Sequence, residues 1–303
     1  MSNIAFLFPG QGAQAVGMAQ ELVEQLPAAA ALFAQASEIL GYDLAHLCAQ
    51  GPAEKLNTTD HSQPALFVAS LAALESLKAS DPQTVDACTA TAGLSLGEYT
   101  ALVFAGVMSF EDGLRVVQQR GSAMQAAAQQ ADSTMVSLLG LSTDDVQQLV
   151  DSCREDGEIL KIANYLCPGN IVVSGSRTAC ERIQVAAVEA GAMKAIPLAV
   201  AGAFHTEVMQ AAVEPLRHVL ENITLNTPRI PVISNVDASV HSDPEIIRQH
   251  LVQQVVSPVR WEECMGTLLN QRIDQFYEIG PGRVLRGLLR RIARKTPCEN
   301  VSC

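Results

Sequence analysis

The run Ala92-Gly93-Leu94-Ser95-Leu96-Gly97-Glu98-Tyr99 constrains this chain more than any other stretch. Its Gly-x-Ser-x-Gly spacing suits a nucleophile elbow, a sharp strand-to-helix turn that pushes one serine hydroxyl into the open. Gly93 and Gly97 lack Cβ atoms, so a strained turn and close packing around it are tolerated there. A helix starting after the turn would aim its first N–H groups at Ser95, where an oxyanion develops during acyl transfer. The motif is common by chance. A base, a second oxyanion donor and a substrate contact have to come from elsewhere in the chain.

An elbow needs a sheet to carry it. Residues 4–8 read as a buried first strand with no basic stretch before it, so not as a signal peptide. Residues 85–92 make a weak strand, too rich in Ala and Thr for periodicity to decide, which must feed the elbow. Residues 63–77 are apolar nearly all round, predicting a buried central helix with Pro64 in its first turn. Helices are expected at 98–105 and at 109–130, the latter with Ser109 as N-cap.

Between 131 and 200 the rhythm becomes β-α-β-β-α-β, with strands at 134–139, 159–165, 170–174 and 194–200. That order is the ferredoxin-like split βαβ module. The chain returns with a helix at 207–222, a strand at 230–235 and helices at 244–255 and 261–270. A strand at 275–279 and a strongly basic helix at 284–295 close it. The expected fold class is α/β. An α/β-hydrolase-like large subdomain (1–130 and 201–303) would hold an inserted ferredoxin-like small subdomain (131–200).

A serine hydroxyl is a poor nucleophile until a base takes its proton. Among the six histidines, His46, His218 and His250 sit in helical patterns and His241 in a polar loop, which reads as surface or packing. His61, just before the buried helix, suits a capping or solvent role more than catalysis. His205 follows Gly202-Ala203-Phe204 at a strand-to-helix junction, where small neighbours permit close approach. It is either the base or a structural histidine.

Composition excludes several functions. A net charge of −12 disfavours general nucleic-acid binding, which needs a basic footprint. No apolar run reaches the roughly 18 residues that span a bilayer, so no membrane is expected. The eight cysteines are scattered without a Cys-x-x-Cys pair. That argues against a zinc site or a disulfide framework and fits a reducing, cytoplasmic setting. Neither a metal nor a cofactor is expected.

Further blocks follow the elbow's logic in order along the chain: Pro9-Gly10-Gln11-Gly12-Ala13-Gln14 before it, then Gln119-Arg120-Gly121 and Gly202-Ala203-Phe204-His205. Ser234-Asn235-Val236, Gln254-Val255-Val256-Ser257-Pro258-Val259-Arg260-Trp261 and Glu278-Ile279-Gly280-Pro281-Gly282 complete them. Over essentially its whole length the chain resembles the malonyl-CoA:acyl carrier protein transacylases of fatty acid synthesis. Ordered blocks are far more specific than any one of them.

The resemblance implies Ser95 as nucleophile and His205 as base, a dyad whose imidazole is held by a main-chain carbonyl near Gln254. The backbone N–H groups of Gln11 and Leu96 would form the oxyanion hole. Arg120 would bind the free carboxylate that distinguishes malonyl from acetyl, since a guanidinium offers a bidentate, charge-assisted pair. Phe204 would fill the space a branched acyl chain needs, favouring malonyl over methylmalonyl. Gln63, Asn164 and Gln254 match polar positions near the family's site. The implied partners are malonyl-CoA and holo acyl carrier protein, with the protein working as a monomer.

Three departures stand out. Leu94 occupies the position where the family usually has His, Ala13 where Ser is common, and Asn170 where Gln is common. At the C-terminus Arg283, Arg286, Arg290, Arg291, Arg294 and Lys295 form a basic cluster on an acidic chain. It suits docking of an acidic carrier protein, or simply cations favoured at a helix C-terminus. Alternative functions are a trans-acting malonyl transferase for a polyketide synthase and a serine esterase or thioesterase of similar fold.

Overall fold

A computed structural model of the chain describes residues 3–303. In chain order its strands are β1 (Ile4–Phe8), β2 (Cys88–Gly93), β3 (Ser133–Leu139), β4 (Leu160–Cys167), β5 (Asn170–Ser176), β6 (Lys194–Pro197), β7 (Val232–Ile233), β8 (Gln275–Ile279) and β9 (Cys298–Val301). They form two sheets. One is parallel throughout, ordered β7-β2-β1-β8-β9. The other is antiparallel, ordered β4-β5-β3-β6.

The parallel sheet is covered on both faces, which removes alternation from its sequence. Every residue of β1 is buried. β2 is rich in Ala and Thr, and every residue of it but Thr89 is buried. Ala90 and Ala92 share a core with Trp261, Cys264 and Met265, and the Thr91 hydroxyl bonds the Phe6 carbonyl at 2.9 Å. The strand begins at Cys88 and not at 85, since Pro82–Asp86 form a short helix. β7 shrinks from the expected six residues to two, because Pro231 has no N–H to give and the chain turns back at Ser234.

β9 has no counterpart among the expected strands. Its segment Cys-Glu-Asn-Val has no apolar pattern and is a strand through its pairing with β8. The basic helix accordingly ends at Ile292, short of 295.

The buried helix is longer than expected, Thr59–Ser80, so Pro64 lies inside it and His61 falls in its first turn. The side chain of Gln125 accepts from the Thr59 N–H at 3.0 Å, occupying one of the free donors at the helix start. The helix packs on Phe110–Ala128, capped by Ser109 as expected. Gly121 makes the close approach possible: a Cβ there would lie 2.7 Å from the Thr59 carbonyl oxygen. That contact sets Arg120 beside Gln63.

In the antiparallel layer, helices Thr143–Cys153 and Arg177–Glu189 share a core with the sheet. Met135, Ala163 and Val172 of its strands belong to the core of the larger body. β6 stops at Pro197 and not at 200. Among the described residues no helix is long and apolar enough to cross a membrane, and all eight cysteines are free thiols.

Candidate active site

The Gly-x-Ser-x-Gly turn joins β2 to the helix Leu96–Phe104 at the carboxyl edge of the parallel sheet, where Phe8 pairs with Gly93. Open α/β sheets bind ligands along that edge. Ser95 has φ 49° and ψ −100°, a strained conformation for a residue with a Cβ. The glycines are dictated by contact. A Cβ on Gly93 would lie 1.9 Å from the Gly97 carbonyl carbon, and one on Gly97 2.1 Å from the Phe8 oxygen.

Two groups meet the Ser95 hydroxyl. His205 Nε2 lies 2.9 Å from Oγ, and Arg120 Nη2 donates to the same oxygen at 3.0 Å. His205 Nδ1 is 2.9 Å from the carbonyl oxygen of Gln254. A carbonyl only accepts, so Nδ1 carries the proton and Nε2 is left bare to take the serine's. Burial, with the neighbouring Arg120 cation, pushes His205 down to about 4; the Gln254 and Ser257 carbonyls pull the other way. The imidazole is therefore neutral at physiological pH.

The segment bearing His205 is pinned from several sides. A Cβ on Gly202 would meet that of Ala128 at 2.8 Å. Ser133 Oγ accepts from the Ala203 N–H, and Ser174 Oγ donates to the Phe204 carbonyl at 2.8 Å. His205 itself has φ 61°. Phe204 is buried beside it.

Arg120 is 1% exposed. Nη1 donates to Gln63 Oε1 at 2.7 Å, Nη2 to Gln254 Oε1 at 2.9 Å, and the guanidinium lies over the Tyr99 ring at 5.2 Å. Its hydrogen-bond acceptors are uncharged, no carboxylate lies within 4 Å among the described residues, and its buried Nε has no partner. A buried cation in that condition is costly unless an anion joins it.

Behind these groups lies a frame of Asn235, Glu98 and Gln254, of which only Gln254 was expected at the site. Asn235 Oδ1 accepts from the Ser95 N–H at 2.6 Å, and its Nδ2 donates to the Gly93 carbonyl at 2.8 Å. Glu98 Oε2 accepts from the Asn235 N–H at 3.0 Å and from Gln254 Nε2 at 2.7 Å. Gln254 Nε2 also donates to the Ser95 carbonyl at 3.1 Å. Burial raises Glu98 to about 7 against the opposing pull of these bonds and of Arg120. The available signal was the Ser234-Asn235-Val236 block and a glutamate inside an otherwise apolar elbow helix.

The other expected residues are distributed unevenly. Leu96 is the first residue of the elbow helix, and Gly10, which precedes Gln11, lies against the turn, since a Cβ on it would be 2.4 Å from the Leu94 oxygen. Leu94 is partly buried and packs on the core that holds Ala92 and Trp261. Asn164 sits half-buried on β4, bridged to Val259, and makes no hydrogen bond with the Ser95 group. Arg283, Arg286 and Arg290 are exposed and have no ion-pair partner within 4 Å among the described residues. His61 sits beside Asp60 and Thr58, apart from these groups.

The family model for the acyl transferase domain matches residues 5–301. A malonyl CoA-acyl carrier protein transacylase from Bacillus subtilis (strain 168) is 44% identical over 302 residues, covering 100% of this chain and 94% of its own. A solved acyl carrier protein S-malonyltransferase from Vibrio cholerae O1 is 39% identical, with a TM-score of 0.93 over 99% of this chain and 96% of its own. A malonyl-transacylase solved in complex with a type II polyketide acyl carrier protein is 40% identical, with a TM-score of 0.93 over 100% and 96%.

Proposed function

The chain belongs to the acyl transferase domain family, and we propose from that premise that it moves a malonyl group from malonyl-CoA to the phosphopantetheine thiol of holo acyl carrier protein, supplying fatty acid synthesis. The observation that carries this reading is the meeting of a hydroxyl, a bare imidazole nitrogen and a buried guanidinium at Ser95 Oγ, 2.9 and 3.0 Å apart.

Ser95 Oγ attacks the thioester carbonyl while His205 Nε2 takes its proton. The oxyanion points to the N–H groups of Leu96 and Gln11; one such donor is typically worth about 2.7–4 kcal/mol of barrier. Collapse breaks the C–S bond, and His205 returns the proton to the departing CoA thiolate. The carrier's thiol then gives its proton to His205 and attacks the malonyl-serine ester. Ser95 leaves with that proton and malonyl leaves on the carrier. No step calls for a cofactor.

Arg120 supplies the selectivity. Its guanidinium is buried, already oriented by Gln63 and Gln254, and short of an anion, which the distal malonyl carboxylate provides. Phe204 closes the space beside His205 against a branched acyl group. Arg283, Arg286 and Arg290 give an acidic carrier a local positive patch on a chain of net charge −12.

In this reading residues 1–130 and 201–303 are the α/β-hydrolase-like large subdomain, and 131–200 are the inserted ferredoxin-like one, supported by the order β4-β5-β3-β6. Eight free thiols favour a reducing cytoplasm, and the protein acts as a monomer. Supply of a polyketide carrier is a second reading, favoured by the likeness to the polyketide complex; turnover of fatty-acid and polyketide carriers in competition separates the two. Incubation with malonyl-CoA followed by intact-mass measurement tests the chemistry. Wild type should gain one malonyl on Ser95. A malonyl adduct on Ser95→Ala, or rapid hydrolysis of malonyl-CoA without carrier, would overturn it.

A further inference from the structure

Three side chains outside the acyl-transfer network converge just beyond Asn235. Asp237 and His241 lie on the loop between β7 and the helix Pro244–Gln254, and His250 lies on that helix. His241 Nε2 is 2.8 Å from Asp237 Oδ2, and His250 Nδ1 is 3.9 Å from Asp237 Oδ1. The two imidazoles meet edge to face, 4.4 Å between centroids. One donor atom from each of the three residues lies within 4.8 Å of the other two. The side chains are 35%, 21% and 18% exposed in that order.

The scaffold is firm. The Asp237 carboxylate accepts from the Ser239 N–H at 3.1 Å, the Ala238 N–H donates to the Ser234 carbonyl, and Thr267 Oγ1 donates to the Ala238 carbonyl at 2.8 Å. The carboxylate is therefore held at a fixed place facing both rings. Two imidazoles and one carboxylate are a donor set that Zn²⁺ and its neighbours accept, commonly with a fourth position left to water. Tetrahedral bonds of the usual 2.0–2.2 Å would set donor atoms about 3.3 Å apart. The two carboxylate-to-imidazole separations, 2.8 and 3.9 Å, lie on either side of that value.

We propose that Asp237, His241 and His250 bind a single divalent transition metal ion of the Zn²⁺ class, with one position open to solvent. The scattered cysteines gave no hint of it, and both histidines read from sequence as surface or packing residues. Coordination through His250 Nδ1 takes over the position where Ser234 Oγ now lies, 3.2 Å away. Ser234 precedes Asn235, which holds the Ser95 amide, and His250 stands one helical turn before Gln254, which holds His205. The ion therefore ties together the loop and the helix that frame the nucleophile without touching the substrate.

The test uses tag-free, metal-stripped protein titrated with Co²⁺ and then Zn²⁺. One equivalent of Co²⁺ should give the visible absorption of a low-coordinate nitrogen and oxygen site, and Zn²⁺ should bleach it. Tm should rise on Zn²⁺ addition by about 5 °C. His241→Ala and His250→Gln should each lose at least ~10-fold in affinity, while Cys264→Ser, whose thiol donates to the Ser234 carbonyl, keeps it. Circular dichroism of the metal-free variants separates lost ligands from lost fold. Binding weaker than about 10 μM, a thiolate charge-transfer band, or unchanged affinity in both folded histidine variants would overturn the proposal.

Discussion

His205 and the His241–His250 pair occupy opposite electrostatic settings at the two ends of one structural frame. His205 is buried, faces the Arg120 cation, and has only a carbonyl behind Nδ1. His241 and His250 are partly exposed and face the Asp237 carboxylate. In the first setting the imidazole is kept neutral with Nε2 free, which suits it to take protons. In the second, a fixed anion and a neighbouring ring suit both imidazoles to share a cation. Nothing in the side chain itself differs. The sign and burial of the neighbours decide which chemistry a histidine performs.

Mutations can break that contrast, beginning where the effect is largest. His205→Ala should lower kcat/KM for malonyl transfer on the order of 10⁴–10⁶-fold in steady-state assays, as nucleophile–base units do when one member is lost. Asp237→Asn should leave turnover of metal-free enzyme within about threefold, since it only touches the other pair.

Arg120→Ala should cost malonyl-CoA turnover about 100-fold or more, the scale of a truncated buried charge contact. Acetyl-CoA should lose far less, so competition between the two thioesters would show the preference collapsing. If both fall equally, Arg120 supports the fold and not the carboxylate.

The pH profile probes His205 directly. The proton acceptor is the neutral form, and its folded value lies near 4, below the ordinary 6.5. The acylation burst should stay level from neutral pH to about 5 and halve near pH 4. Arg120→Gln removes the neighbouring cation and should move the midpoint upward. The same shift affects stability. Between about 4 and 6.5 the unfolded chain holds a proton that the native state does not, so this contribution grows with pH across that window and is complete above it.

Smaller effects belong to the frame and the surface. Asn235→Ala strands the Ser95 amide and the Gly93 carbonyl, and denaturant unfolding should show a loss of about 1–3 kcal/mol, with kcat lowered more than KM is changed. Neutralising Arg283, Arg286 and Arg290 together should raise KM for the carrier several-fold and leave KM for malonyl-CoA alone. High salt should erase the difference.

Much of this arrangement was legible before folding, for reasons that vary by residue. The elbow could be read because its spacing is local, Gly93 answering a contact with Gly97 four residues on, although Gly97 itself answers the distant Phe8 carbonyl. The buried helix could be read from its unbroken apolar surface, although its start was hidden: Thr59 is held by Gln125, a partner far along the chain. β9 and the brevity of β7 were invisible, because pairing and not local pattern makes the first a strand and ends the second. Asn235 and Glu98 were present in recognisable blocks, yet nothing local says that one carries the Ser95 amide and the other carries both Asn235 and Gln254.

The sequence alone determined the residue types, the order of blocks and hence the family, because a Gly-x-Ser-x-Gly turn and periodic apolar faces are encoded over short spans. Only the tertiary structure decided the chemistry at each of those residues. Ser95 gained a base, His205 a tautomer and Arg120 an unmet charge when segments far apart in the chain closed on one point. Proton affinity and charge are set by distance, burial and the sign of the nearest group, and those exist only once the chain has folded.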